Sequence, residues 1–83
     1  MLKEAAAIDE ATLHEHLERS HRNVAEGQLH IQRQREVIRR LERSGYDSRR
    51  AHWLLGTFED LLRLHVQDRD RLVRDLAALQ SVA

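Results

Sequence analysis

The sequence predicts an all-α fold, an antiparallel hairpin of two long helices, and three observations support this class. The 83 residues are 34% charged and 4% aromatic and contain no proline, a composition typical of long helices rather than of sheets. Only one segment, residues 44–48, has the composition of a turn. On both sides of it, apolar residues recur at alternating steps of three and four, which is the spacing of a helix seam.

The first helix is predicted to run from about residue 9 to about residue 43, with Asp9 as its N-cap. Within the seam, Ser20, Gly27 and Gln34 are small or polar. They predict either a close approach of the two backbones or a hydrogen-bonded polar layer. The whole seam of this helix reads Leu13, Leu17, Ser20, Val24, Gly27, Ile31, Gln34, Ile38 and Leu41.

The second helix is predicted over about residues 48–79. Gly45 suits the left-handed end of the first helix, and Asp47 suits the N-cap of the second. The chain is expected to be one helical-hairpin domain, with residues 1–8 as a frayed N-terminal extension. The seam of the second helix reads Ala51, Leu55, Phe58, Leu62, His65, Arg69, Leu72, Leu76 and Leu79.

The second helix is apolar over more than its seam. Val66 and Val73 lie on one flank of the seam, and further apolar residues lie on the other. A helix that is apolar over so wide an arc is buried over that arc, and one partner helix is too narrow to cover it. We therefore expect a homodimer that forms a four-helix bundle. The expected interface residues are Trp53, Leu54, Phe58, Leu61 and Leu64, and the alternative is that they bind a different protein.

The expected core combines the larger seam residues of both helices. It comprises Leu17, Val24, Ile31, Ile38, Leu55, Phe58, Leu62, Leu72 and Leu76.

Six histidines call for a test of metal binding. If antiparallel neighbours have numbers that sum to roughly 91, His65 lies opposite Glu26 and Gly27, and Glu26, His30 and His65 become the candidate metal ligands. The competing interpretation, which we favour, is a buried hydrogen-bonded pair of Glu26 and His65 with the His65 ring in the gap at Gly27. We expect no metal and no other cofactor.

Catalysis is not expected. The chain has no cysteine, its serines have no evident histidine–acid arrangement, and its three glycines are isolated rather than grouped in a phosphate-binding loop. The N-terminal apolar run is too short for a signal peptide or a membrane span. We therefore expect a cytoplasmic protein that does not associate with membranes.

The net charge is zero, but it is unevenly distributed. Residues 33–50 carry seven arginines against three acids, a net charge of +4, whereas residues 1–32 carry −3 and residues 51–83 carry −1. The basic tip is open to three interpretations: a solvated helix end, a contact with phosphates or an acidic partner, or guidance of two hairpins end over end. Nucleic-acid binding is not expected, because interleaved aromatic residues and a known reading motif are missing. The tip arginines singled out are Arg39, Arg40, Arg43, Arg49 and Arg50.

Several stretches carry a family resemblance: HRNVAEG (21–27), HIQRQR (30–35), LERSGYD (41–47) and LLGTFE (54–59), followed by His65 and RDRL (69–72). They span most of residues 13–76 and resemble a group of short uncharacterised bacterial helical-hairpin proteins. The resemblance implies a helical, dimeric protein and carries over no activity.

A fainter resemblance is to the dimerisation and phosphoacceptor hairpins of two-component histidine kinases. It implies His21 or His14 as an acceptor, although the rest of that motif is missing. The sequence thus favours a small non-catalytic interaction or adaptor module. The alternative is a histidine-based metal-binding or phosphoacceptor four-helix-bundle protein.

Overall fold

The chain folds as a hairpin of two helices, α1 (Leu2–Arg43) and α2 (Arg49–Val82). The computed structural model describes the backbone of residues 2–82 and the side chains of residues 9–81. The helices pack against each other in antiparallel orientation and form a rod of 65 × 15 × 13 Å. The predicted all-α helical hairpin is confirmed.

The first helix begins at Leu2 rather than at Asp9, so Asp9 lies inside the helix and does not cap it. The physical reason is the run of alanines at positions 5–7, because alanine has the highest helix propensity of all residues. The side chains of residues 1–8, the segment predicted to fray, lie outside the described residues.

The end of α1 is a Schellman motif centred on Gly45. Gly45 has a φ of 75°, in the left-handed region that favours glycine. The N–H of Tyr46 donates to the carbonyl of Leu41 at 2.9 Å, and the N–H of Gly45 donates to the carbonyl of Glu42 at 3.2 Å. These two bonds satisfy carbonyls that have no partner within the helix, so the chain turns where the sequence predicts.

The start of α2 is held by side chains of the turn. Asp47 accepts the backbone N–H of Arg49 at 3.0 Å and so satisfies one donor of the first turn. The N-cap position itself is one residue later than predicted, at Ser48, whose carbonyl accepts the N–H of His52 at 2.9 Å. Glu42, in the last turn of α1, reaches across and accepts hydrogen bonds from Ser48 Oγ at 3.2 Å and from His52 Nε2 at 2.8 Å. The hydrogen bond from His52, followed by that from Ser48, lowers the pKa of the Glu42 carboxyl below its usual value.

The core is a narrow line between the two helices. The predicted core residues Leu17, Leu55, Phe58 and Leu62 are half-buried, because each helix of a hairpin shields the other on one side only. The buried apolar residues are Val24, Ile31, Ile38, Leu72 and Leu76.

The small and polar seam residues produce both a hydrogen bond between the helices and a close approach of the two backbones. Gln34 Nε2 donates to the carbonyl of Ala51 at 2.9 Å, a hydrogen bond between the helices. At Gly27 the helices approach so closely that an added Cβ would lie 3.1 Å from Leu62 Cδ1. Leu62 therefore occupies the gap, and the prediction that the His65 ring fills it is wrong. The two residues lie on the same face of α2, one helical turn apart, so sequence spacing does not separate them.

In the described part of the chain, neither helix contains a stretch apolar enough, over sufficient length, to cross a membrane.

Candidate interaction surface

The predicted interface residues lie on one side of α2, which we call the α2 apolar surface. Its members are Trp53, Leu54, Phe58, Leu61 and Leu64. Trp53 is 70% exposed, Leu64 is 60% exposed and Leu61 is 46% exposed. Leu54 and Phe58 are half-buried, because they also face α1. Trp53 and Leu64 are eleven residues apart, close to three helical turns, so they lie along one line of the helix.

A groove about half-way along the rod adjoins this surface, and we refer to it as the midpoint groove. It has a volume of about 240 Å³. The ring of His30 contacts that of Phe58 across it, with centroids 5.6 Å apart and planes tilted by 41°, an aromatic contact that fixes the imidazole against α2. The groove is lined by Asn23, Glu26, Gly27, His30, Phe58, Leu61 and His65.

The first helix adds an apolar residue to this side that the sequence analysis missed. Val37 is 42% exposed and lies seven residues after His30. Residues seven apart stay on one side of a packed helix, so Val37 extends the apolar area towards the tip. In the sequence, the seven-residue spacing from His30 could have placed Val37 on this side. The seam did not identify it, because Val37 lies outside the seam.

The three candidate metal ligands all line the midpoint groove. Glu26 is exposed, so the prediction of a buried hydrogen-bonded pair of Glu26 and His65 is wrong. Across residues 9–81, no three histidine, aspartate or glutamate side chains lie close enough together to hold a metal ion. The structure thus brings Glu26, His30 and His65 to one groove without forming a ligand set in a single chain.

The opposite side of the hairpin is more strongly charged. A groove of about 490 Å³ on this side is lined by Arg35, Glu59 and Arg63 together with apolar side chains that include Val66. Val73, seven residues after Val66, is 46% exposed. This side therefore presents Val66 and Val73 next to charged side chains.

The arginines of the basic tip are exposed. Glu36 accepts a hydrogen bond from Arg39 and lies 3.7 Å from Arg40 Nε, and the Arg39 bond and charge hold the pKa of the Glu36 carboxyl below its usual value. Arg49 binds Asp47 at 2.8 Å. These acids are already counted in the net charge of +4 for residues 33–50, so an excess of positive charge remains. The exposed tip arginines are Arg39, Arg40, Arg43, Arg49 and Arg50.

The other end of the hairpin carries a group of acidic residues from α1. Glu15 and Glu18 are exposed, and Glu10 accepts a hydrogen bond from Gln80 Nε2 at 3.3 Å, which joins the two helices there. We refer to this region as the acidic end. It comprises Asp9, Glu10, Glu15 and Glu18.

No protein-family model, curated protein sequence or solved structure matches this chain. The resemblances to bacterial helical hairpins and to phosphoacceptor hairpins therefore stay predictions.

Proposed function

We propose that this chain is a small, non-catalytic, cytoplasmic interaction module that works as a homodimer and contacts other proteins through its helix faces. The observation that carries the proposal is the α2 apolar surface, where Trp53 is 70% exposed and Leu64 is 60% exposed in the single hairpin. Single exposed apolar residues are ordinary on protein surfaces, whereas several on one side of a helix are typical of an interaction site.

The total surface area of the hairpin supports the same proposal. One chain exposes 6648 Å², whereas a compact monomer of its mass, 9.8 kDa, exposes about 5,200 Å². The excess is about 1,400 Å² by this scaling. A standard protein interface takes about 800 Å² from each partner. The single hairpin therefore has more than enough excess surface for one such interface.

Homodimerisation is favoured over a dedicated foreign partner on general grounds. Closed two-fold dimers are the commonest oligomers of soluble chains, and two hairpins that pack face to face form a four-helix bundle with a common core. In that bundle the half-buried Leu54 and Phe58 gain the second layer of neighbours that a lone hairpin does not supply.

The experiment is a substitution in the α2 apolar surface with a matched control on the other flank. Leu61→Glu and Val73→Glu both place a carboxylate on α2 at a residue that is 46% exposed in the hairpin. Half-burial of Leu61 in an interface contributes about 1 kcal/mol per copy, and the substitution affects both copies. We therefore expect Leu61→Glu to raise the dimer dissociation constant at least ~30-fold, while Val73→Glu leaves it unchanged.

Sedimentation equilibrium over a range of protein concentrations measures both dissociation constants, and far-UV circular dichroism checks that each variant is helical. Equal weakening by both substitutions would show that the α2 apolar surface is not the specific interface. A wild-type chain that stays monomeric would contradict the homodimer.

A further inference from the structure

The hairpin is electrically polar along its length. Its tip segment, residues 33–50, has a net charge of +4, and the segment 1–32 has −3. The side chains responsible are solvent-exposed at both ends, Arg43 and Arg50 at the tip and Glu15 and Glu18 at the acidic end. The rod is 65 Å long, several times the Debye length of about 8 Å at physiological ionic strength. Salt therefore screens the charges at one end from those at the other end, and each end interacts mainly with charges directly beside it.

This polarity separates the two ways in which two copies can pair. In a parallel pair, the two basic tips lie side by side and repel each other. In an antiparallel pair, each basic tip lies beside the acidic end of the other copy. Juxtaposed like charges penalise a wrong arrangement, whereas complementary charges speed association and fix the register.

The position of the apolar contacts places the symmetry axis. A two-fold interface uses the same patch on both copies, so the axis crosses that patch. The midpoint groove adjoins the α2 apolar surface at Phe58 and Leu61 and lies at the level where Gly27 meets Leu62. In an antiparallel pair with its axis at this level, a residue of α1 in one copy lies at the same position along the rod as a residue in the other copy. The two residues are equally far from Gly27, one before it and one after it.

Charges near the two ends of α1 agree with that axis, whereas closer to the axis Arg19 falls level with Arg35 and Glu18 with Glu36. Arg39 lies twelve residues after Gly27, and Glu15 lies twelve residues before it. Arg39 of one copy is then level with Glu15 of the other. By the same count Arg43 falls level with residue 11, next to Glu10.

We propose that the occupant of the α2 apolar surface is a second copy of this chain in antiparallel orientation, with the two-fold axis at the midpoint groove and each basic tip beside the partner's acidic end. This inference rests on the proposed homodimer and assigns its geometry. It also gives the uneven charge a role, because the basic tip then selects orientation rather than binding nucleic acid.

Spin-label distances test the orientation directly. The chain has no cysteine, so Ser44→Cys at the tip and Thr12→Cys near the acidic end each introduce a single labelling site at an exposed residue. Ser44 lies seventeen residues from Gly27, or about 25 Å at 1.5 Å per residue. In the antiparallel dimer the two Ser44→Cys labels are therefore about 50 Å apart, and in a parallel dimer they are about 20 Å apart.

A mixture of the two labelled variants supplies the complementary distance. Residues 12 and 44 lie at nearly equal distances on opposite sides of Gly27. The antiparallel dimer brings unlike labels to within about 20 Å, whereas the parallel dimer separates them by about 50 Å. A short distance between unlike labels, with a long distance between the Ser44→Cys labels, supports the proposal.

The reverse pattern would overturn the antiparallel orientation and leave the homodimer intact. The absence of any intermolecular distance would overturn both. Salt dependence is an independent readout: the antiparallel dimer weakens as salt is added, because attraction between tip and acidic end is screened, and the parallel dimer tightens. An association that tightens with added salt would therefore also overturn the proposal.

Discussion

Replacing Gly27 with leucine tests whether close helix approach at this position determines the packing of the hairpin. A Cβ at this site would lie 3.1 Å from Leu62 Cδ1 and 3.8 Å from Leu62 Cα. The remaining carbons of a leucine would therefore have to displace Leu62 or separate the helices. Such overpacking costs about 1–3 kcal/mol, and the gain in helix propensity from glycine to leucine offsets about 0.8 kcal/mol of it. The free energy of unfolding should fall by roughly 0–2 kcal/mol.

Gly56 supplies the matched control, because it is also inside a helix and no atom lies within 4 Å of the Cβ that would be added there. Gly56→Leu should gain helix propensity alone and raise the free energy of unfolding by about 0.8 kcal/mol. Urea denaturation followed by circular dichroism, at one fixed protein concentration, measures both variants. Equal shifts of the two midpoints would refute the close approach at Gly27.

Two further predictions concern polar groups. The hydroxyl of Ser20 is buried, at 2% exposure, without a hydrogen-bond partner among the described residues. Ser20→Ala should therefore raise the free energy of unfolding by about 1 kcal/mol. A lower denaturation midpoint in urea for Ser20→Ala would show that the hydroxyl has a hydrogen-bond partner in solution. Because His52 and Ser48 lower the pKa of Glu42, the unfolded chain binds more protons near the ordinary glutamate pKa of about 4.3. The stability from Glu42 is present above that pH and lost as pH falls through the lower folded value. The melting temperature of wild type should therefore drop more steeply below about pH 5 than that of Glu42→Gln, and parallel curves would contradict this.

Local signals sufficed for the turn and the fold class. Gly45 and Asp47 act through their own backbone geometry and nearest neighbours, so their roles are readable from the sequence. The start of α1 was predicted too late because aspartate is a favourable N-cap residue, which pointed to Asp9. The alanines before it have high helix propensity, so the helix extends past Asp9 towards the N-terminus.

The exact register between α1 and α2 could not be predicted from the sequence. His65 and Leu62 are one turn apart on the same face of α2, and only the packed structure shows that Leu62 meets Gly27. The same uncertainty affected Glu26, which shares a groove with His65 but is exposed rather than paired.

The position of the α2 apolar surface was predictable from the sequence, and its extension onto α1 at Val37 was not. The apolar width of the second helix identified Trp53, Leu61 and Leu64, all exposed in the hairpin. Val37 was missed because a single apolar residue outside a seam has no periodic signal of its own. The degree of burial of Leu54 depended on how closely α1 approaches, which the small and polar seam residues made difficult to judge.

The most direct test of the central claim, that two hairpins assemble through the α2 apolar surface, is native mass spectrometry of the wild-type chain beside Leu61→Glu at micromolar concentration. We predict a wild-type mass twice the 9.8 kDa of one chain and a larger single-chain fraction for Leu61→Glu than for wild type. A wild-type spectrum that contains only the single chain, or a Leu61→Glu spectrum with an undiminished dimer, would contradict the claim.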